Sequence, residues 1–185
     1  MTLYKGKYRI ESTRLRNYDY SANGWYFVTM CTNDHLYYFG DIFQGKMQLS
    51  SIGQIAQQFW VEIPNHFNNI FIDAYVIMPN HVHGIVVIDN PVETRHGASL
   101  QTSQNQNDQS NQFSPLKKCS LSLIINAYKS SVTRWCRKNN HDNFAWQPRF
   151  YDHIIRDNDS LVRIRDYIQN NPATWNEDKN NPINF

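Results

Sequence analysis

Two histidines, a tyrosine and an asparagine stand at spacings that can do chemistry together. His81 and His83 lie two residues apart at the head of the apolar run Ile85-Val86-Val87-Ile88. Alternate residues of a strand share a face, so the two imidazoles project side by side and can hold one metal ion. Such a pair can equally be two ordinary strand residues, and it supplies two nitrogen ligands at most. A third group must come from elsewhere. Tyr167 and Asn171 are four apart in a helical stretch, about 40° apart around the axis and therefore neighbours on one face. An asparagine carbonyl oxygen is an acceptable ligand for a hard divalent ion such as Mg²⁺ or Mn²⁺. Pro172 follows directly and disfavours helical geometry at Asn171. A phenol, with a pKa of about 10, needs either an activating neighbour or a polarised electrophile to attack at neutral pH, and a metal-bound phosphodiester would be such an electrophile. Taken by itself, Tyr167 reads first as a helix-edge core residue.

The elements that must position these groups are legible in the pattern. Trp25-Tyr26-Phe27-Val28-Thr29-Met30-Cys31-Thr32 is a first strand, preceded by Asn23-Gly24. A polar loop with Gly40 and Gly45 leads to a helix with Ile52, Ile55, Ala56, Phe59, Trp60 and Ile63 at helical spacing. Ser51 and Gln54 fit a capping box, and Pro64 marks its exit. Residues 71–78 form a second strand, Pro79-Asn80 a turn, and residues 81–88 a third strand, central because both its parities are apolar beyond Gly84. Leu121, Ile124, Ile125, Tyr128, Val132 and Trp135 mark another helix, and Lys129, Arg134, Arg137 and Lys138 fall largely off that stripe. A fourth strand spans 149–156. The last helix runs from about Asp159 to Asn170, with Pro172 as its stop and a short polar tail beyond. The order predicts an α+β fold: a βαββαβ antiparallel sheet with two helices on one face, and a seventh element, the helix with Tyr167, free to cover the other.

Composition narrows the function classes. The 185 residues carry a net charge of +2 and 14% aromatic residues, enough for one packed domain spanning 1–185 but no global basic field. Charge is concentrated at the start, where Lys5, Lys7, Arg9, Arg14 and Arg16 are interleaved with Tyr4, Tyr8 and Tyr18 against the single acid Glu11. Such an arm suits phosphates and base stacking, or is simply solvated. Three cysteines without a Cys-x-x-Cys pair argue against a disulfide framework or structural zinc, and for a reducing cytoplasm. Neither a signal peptide nor a membrane span is expected. Residues 90–114, rich in Asn, Gln and Ser, read as a mobile loop.

Four stretches then carry a resemblance. They are Tyr75-Val76-Ile77-Met78-Pro79-Asn80-His81-Val82-His83-Gly84, Tyr128-Lys129-Ser130, Trp146-Gln147-Pro148-Arg149-Phe150-Tyr151-Asp152-His153-Ile154-Ile155-Arg156, and Ile164-Arg165-Asp166-Tyr167-Ile168-Gln169-Asn170-Asn171-Pro172. In this order they resemble the REP-associated tyrosine transposases, single-tyrosine members of the HUH endonuclease superfamily, over most of residues 14–175. The resemblance implies a ferredoxin-like core and that His81 and His83 bind a divalent ion, Mg²⁺ or Mn²⁺. It also implies that Tyr167 is the nucleophile and that Asn171 matches a position contributing a further metal ligand. The implied reaction attacks single-stranded or hairpin DNA and forms a 5′-phosphotyrosine link with a free 3′-hydroxyl. No nucleotide cofactor is needed. Arg14, Arg16, Lys129 and Arg134 are the expected DNA contacts, in a monomer or homodimer.

Two other readings compete. A βαββαβ unit is also the RNA-recognition architecture of non-catalytic binding modules, but the aromatic sheet motif for base stacking is missing and the His pair is left unexplained. A zinc hydrolase lacks the Glu-bearing metalloprotease motif.

Overall fold

The computed structural model of the chain describes residue 15, residues 17–91 and 119–185, and the backbone of a two-residue ribbon, β1 (Leu3–Tyr4) and β2 (Lys7–Tyr8). The expected loop at 90–114 falls mostly outside these residues. The remaining strands are β3 (Gly24–Cys31), β4 (Gly40–Phe43), β5 (Lys46–Leu49), β6 (Ile70–Ile77), β7 (His81–Ile88) and β8 (Tyr151–Ile155). The helices are α1 (Ser51–Val61), α2 (Ile63–His66), α3 (Leu121–Lys138) and α4 (Asn158–Asn170).

Four strands form one antiparallel sheet in the order β6-β7-β3-β8. With α1 after β3 and α3 after β7, this is the ferredoxin-like βαββαβ arrangement that the sequence predicts. Period-two alternation sorts β3 between two cores. Tyr26, Val28 and Met30 join α1 and α3 in the larger one, with Trp60, Ile124, Ile125 and Val132. Phe27 joins Ile85, Ile155 and Ile168 of α4 in a small core on the opposite face. Each such side chain, fully buried, contributes roughly 1.5–3 kcal/mol.

The differences from the sequence reading are local. The polar loop after β3 contains the β4–β5 hairpin, closed at Gln44-Gly45 with positive φ at both residues. Its strands are four residues long and only half-buried, too short for periodicity to register. The cap of α1 is Ser50, whose hydroxyl accepts from the Gly53 N–H, instead of Ser51. Pro64 opens the second short helix α2 instead of ending α1, because proline is tolerated where the N–H has no helical partner.

Two features aim α4. A bulge in β6 sets Asp73 and Ala74 against Ile85 of β7. Ala74 packs in the α4 core, while Asp73 pairs with Arg165, 2.7 Å from Nη2 and 2.8 Å from Nε. The same guanidinium lies over the Trp25 ring, 5.6 Å from its centre. Because Arg165 is two residues before Tyr167, these contacts help fix the rotation of the helix.

On the other side of β7, Gly84 leaves room for a tryptophan. A Cβ at this position would run into the indole of Trp60, which is fully buried. Gly84→Ala is therefore expected to destabilise the fold by about 1–3 kcal/mol through overpacking. The shift in urea midpoint at unchanged slope measures it; an unshifted midpoint would show that the contact can yield.

Candidate metal and tyrosine site

The site grows out of the cross-strand register of β3 and β7. Thr29 stands opposite His83 and Cys31 opposite His81, all on the face that α4 covers. Both imidazoles are fully buried, with ring centres 4.4 Å apart. His83 stacks on Phe27 at 5.3 Å, and its Nδ1 lies 2.8 Å from the Thr29 hydroxyl. His81 Nδ1 lies 2.8 Å from Asn80 Oδ1. Each ring thus has one nitrogen held by a neighbour and the other facing a common centre.

From α4, Tyr167 reaches that centre with its hydroxyl 3.1 Å from His83 Nε2. The residue stays 39% exposed, so the phenol borders solvent while its oxygen points inward. Asn171 keeps αR backbone geometry despite Pro172 (φ −55°, ψ −42°) and stays on the same helical face. It is buried, as the i, i+4 spacing with Tyr167 requires.

The third group close to the histidines is one the sequence did not single out. Asp178, in the polar tail, offers a carboxylate oxygen within 4.8 Å of a ligand nitrogen on each of His81 and His83. Its Oδ2 accepts from Asn171 Nδ2 at 2.7 Å and from the Tyr167 hydroxyl at 3.3 Å. Its Oδ1 accepts from the main-chain N–H and side-chain amide of Asn180, at 2.6 and 2.9 Å. Asn171 therefore enters the site with its amide nitrogen on Asp178 and its Oδ1 without a hydrogen-bond partner. The tail is ordered by 3₁₀ turns at Trp175–Glu177 and Pro182–Asn184, and Trp175 packs near His81 with ring centres 5.9 Å apart. Nothing in its composition signals this, since a polar segment without periodicity gives no clue to where its chain returns.

The donor set fits a divalent cation. His81 Nε2 and Asn171 Oδ1 are both buried with no hydrogen-bond partner, an arrangement that costs about 1–3 kcal/mol for each such atom. Two imidazoles and a carboxylate bring their ligand atoms within 4.8 Å of one another, a set that could hold one cation.

Electrostatics follow from burial. His81 is pushed from its ordinary 6.5 down to about 4, the loss of solvation outweighing the attraction of Asp178. Burial, then the neighbouring His81, holds His83 well below 6.5. Tyr167 is raised, first by burial and then by Asp178. Burial pushes the Asp178 carboxyl up, but hydrogen bonds from Asn180 and Asn171 and the nearby His81 outweigh it and leave it below the ordinary value.

Of the residues expected to touch DNA, Arg14 and Arg16 lie outside the described residues. Lys129 donates to the main-chain carbonyls of Gln147 and Arg149, at 2.6 and 3.2 Å. Burial lowers it to about 8. It holds the segment leading into β8 rather than standing free on the helix. Arg134 is exposed and, with Ser130, Thr133, Arg137 and Lys138, lines a concavity along α3. That helix packs on the sheet face opposite the histidines.

The histidines give a pH prediction. A basic group whose pKa falls on folding resists protonation only in the folded state. Its contribution is complete above about 6.5 and is lost as the pH drops toward about 4. In the presence of chelator, the unfolding free energy from urea titration should fall across that window, by on the order of 3 kcal/mol for His81, and the midpoint with it. A midpoint that stays flat from pH 7 to pH 4 would contradict the burial of neutral imidazoles.

Comparison with known proteins agrees with this architecture. No protein-family model matches the chain. An uncharacterized protein of Haemophilus influenzae is 38% identical over 174 residues, which is 94% of this chain and 94% of the relative. Among solved structures, a REP-associated tyrosine transposase bound to a REP hairpin superposes with a TM-score of 0.58 at 20% identity, covering 91% of this chain and 77% of its own. The chain therefore belongs to one family with the Haemophilus influenzae protein, and its fold is that of the REP-associated tyrosine transposase.

Proposed function

We propose that the protein is a metal-dependent single-strand DNA endonuclease and strand transferase, a transposase acting on hairpin-forming repeats through a 5′-phosphotyrosine intermediate. The observation that carries this reading is the Tyr167 hydroxyl, 3.1 Å from His83 Nε2 and 3.3 Å from Asp178 Oδ2, among the buried groups that suit a cation. The four sequence motifs and a fold shared with a transposase solved on a REP hairpin support it.

His81, His83 and Asp178 would hold the ion, Mg²⁺ or Mn²⁺, with Asn171 fixing the carboxylate through Nδ2 and its unpartnered Oδ1 a candidate further ligand. A bound divalent ion supplies Lewis-acid polarisation of the scissile phosphate and a positive charge near the phenol. Tyr167 is the nucleophile. Its oxygen forms a bond to phosphorus as the P–O3′ bond breaks, so the 5′ side stays on the enzyme and the 3′ oxygen leaves, taking up a proton. The phenol's proton passes to Asp178 Oδ2, to which it already donates, and from there to solvent. A 3′-hydroxyl attacking the phosphotyrosine reverses the step and rejoins or transfers a strand. Arg14, Arg16 and Arg134 would contact backbone phosphates, which makes binding weaken with salt.

With Mn²⁺ or Mg²⁺, the protein should cleave a hairpin-bearing DNA strand and remain attached to it on a denaturing gel. Tyr167→Phe should abolish the adduct; an adduct that persists would sink the assignment and point to Tyr151, which is 45% exposed. His81→Ala should weaken Mn²⁺ binding by more than about 100-fold, beyond what loss of an outer-sphere partner causes. Calorimetry with MnCl₂ reads this directly.

A further inference from the structure

By composition, Pro79-Asn80 is ordinary turn chemistry before the paired histidines. In the fold, Asn80 is fully buried and its side chain is saturated. Nδ2 donates to the main-chain carbonyls of His35 and Asn180, at 3.1 and 2.8 Å. Oδ1 faces His81 Nδ1 at 2.8 Å. The Asn80 carbonyl accepts from the main-chain N–H and hydroxyl of Thr32, at 2.8 and 3.0 Å.

These partners remove two ambiguities. Carbonyl oxygens cannot donate, so the amide end facing His35 and Asn180 is the nitrogen, and the end facing His81 is the oxygen. An amide oxygen can only accept, so His81 Nδ1 must carry the proton. The lone pair of the neutral ring is then on Nε2, the buried atom that has no hydrogen-bond partner. His83 is not fixed in this way. Its Nδ1 meets the Thr29 hydroxyl and its Nε2 the Tyr167 hydroxyl, and the single phenol proton that faces Asp178 Oδ2 can turn to Nε2 instead, so neither contact dictates the ring's tautomer.

Asn80 also reaches the third candidate ligand. The carbonyl that it holds belongs to Asn180, whose own N–H and amide bind Asp178 Oδ1. One buried amide thus orients a histidine on β7 and, through a single residue, a carboxylate in the tail. We infer that Asn80 is a positioning residue that locks His81 in the Nδ1–H tautomer, presents Nε2 to the cation and registers Asp178 against it. The purpose of the lock rests on the metal site proposed above, whereas the tautomer does not.

The decisive measurement uses the wild-type chain, ring-¹⁵N-labelled at histidine, with chelator at neutral pH. Two-bond ¹H–¹⁵N correlations report which nitrogen is protonated, and His81→Gln assigns the signals by their loss. An Nδ1-protonated His81 is expected; an Nε2–H tautomer would overturn the inference. Asn80→Ala should release the tautomer, whereas Asn80→Asp keeps an acceptor on Nδ1 and loses the donors to the His35 and Asn180 carbonyls; both should weaken MnCl₂ binding about 10–100-fold by calorimetry, the range for an outer-sphere partner. Unchanged affinity in a folded variant would also overturn it. Should either variant fail to fold, the wild-type spectrum still decides. Should the wild type bind no Mn²⁺, the metal reading fails while the spectrum continues to report the lock.

Discussion

The register of β7 against β3 is the constraint on which the rest depends. Side chains alternate across a sheet, so a slip of one residue would carry His81 and His83 to the α1–α3 side and Val82 and Gly84 to the α4 side. Apolar burial on both faces opposes that slip. Val82 and Val86 are needed in the larger core, Ile85 in the smaller. The histidines therefore share the α4 face for reasons that have nothing to do with their own chemistry. Once there, each is paired across or along the strand with a polar neighbour, Thr29 or Asn80, that accounts for one ring nitrogen.

The parts of this structure that were legible in the sequence are those governed by periodicity. The four sheet strands and the three main helices announce themselves by alternation or by 3.6-residue spacing, and their order implies the topology. The pairing of His81 with His83 and of Tyr167 with Asn171 follows from the same two periods. What stayed hidden depends on chain return rather than local pattern. Asp178 lies eleven residues beyond Tyr167 in a tail with no repeat, and only the turns after α4 bring it back under the histidines. Asn80 is hidden differently: its residue type is right for a turn, and burial alone distinguishes a turn residue from an orienting one. Lys129 illustrates the converse, a charge off the apolar stripe that turns inward to two carbonyls.

The role of Asn171 changes accordingly. Spacing places it beside Tyr167, and the fold keeps it there, yet its amide nitrogen is engaged by Asp178. Carboxylate and amide act as a unit, the amide donating to one oxygen while Asn180 donates twice to the other. That set of donors keeps Asp178 ionised beside two neutral imidazoles. The site thus combines one negative charge with uncharged nitrogen and oxygen donors, a set that could hold a cation.

The Gly84–Trp60 contact has a consequence for how this strand can change over time. Along residues 81 to 86, odd positions face the tyrosine helix and even positions face α1 and α3. Substitutions at His81 and His83 change the groups that face Tyr167, whereas those at Val82, Gly84 and Val86, and at Ile85 on the opposite face, change packing. Selection thus acts on two interleaved sets, each limiting drift for a separate reason. In a lineage that had no use for the paired imidazoles, Val82 and Gly84 would persist through packing while His81 and His83 drifted.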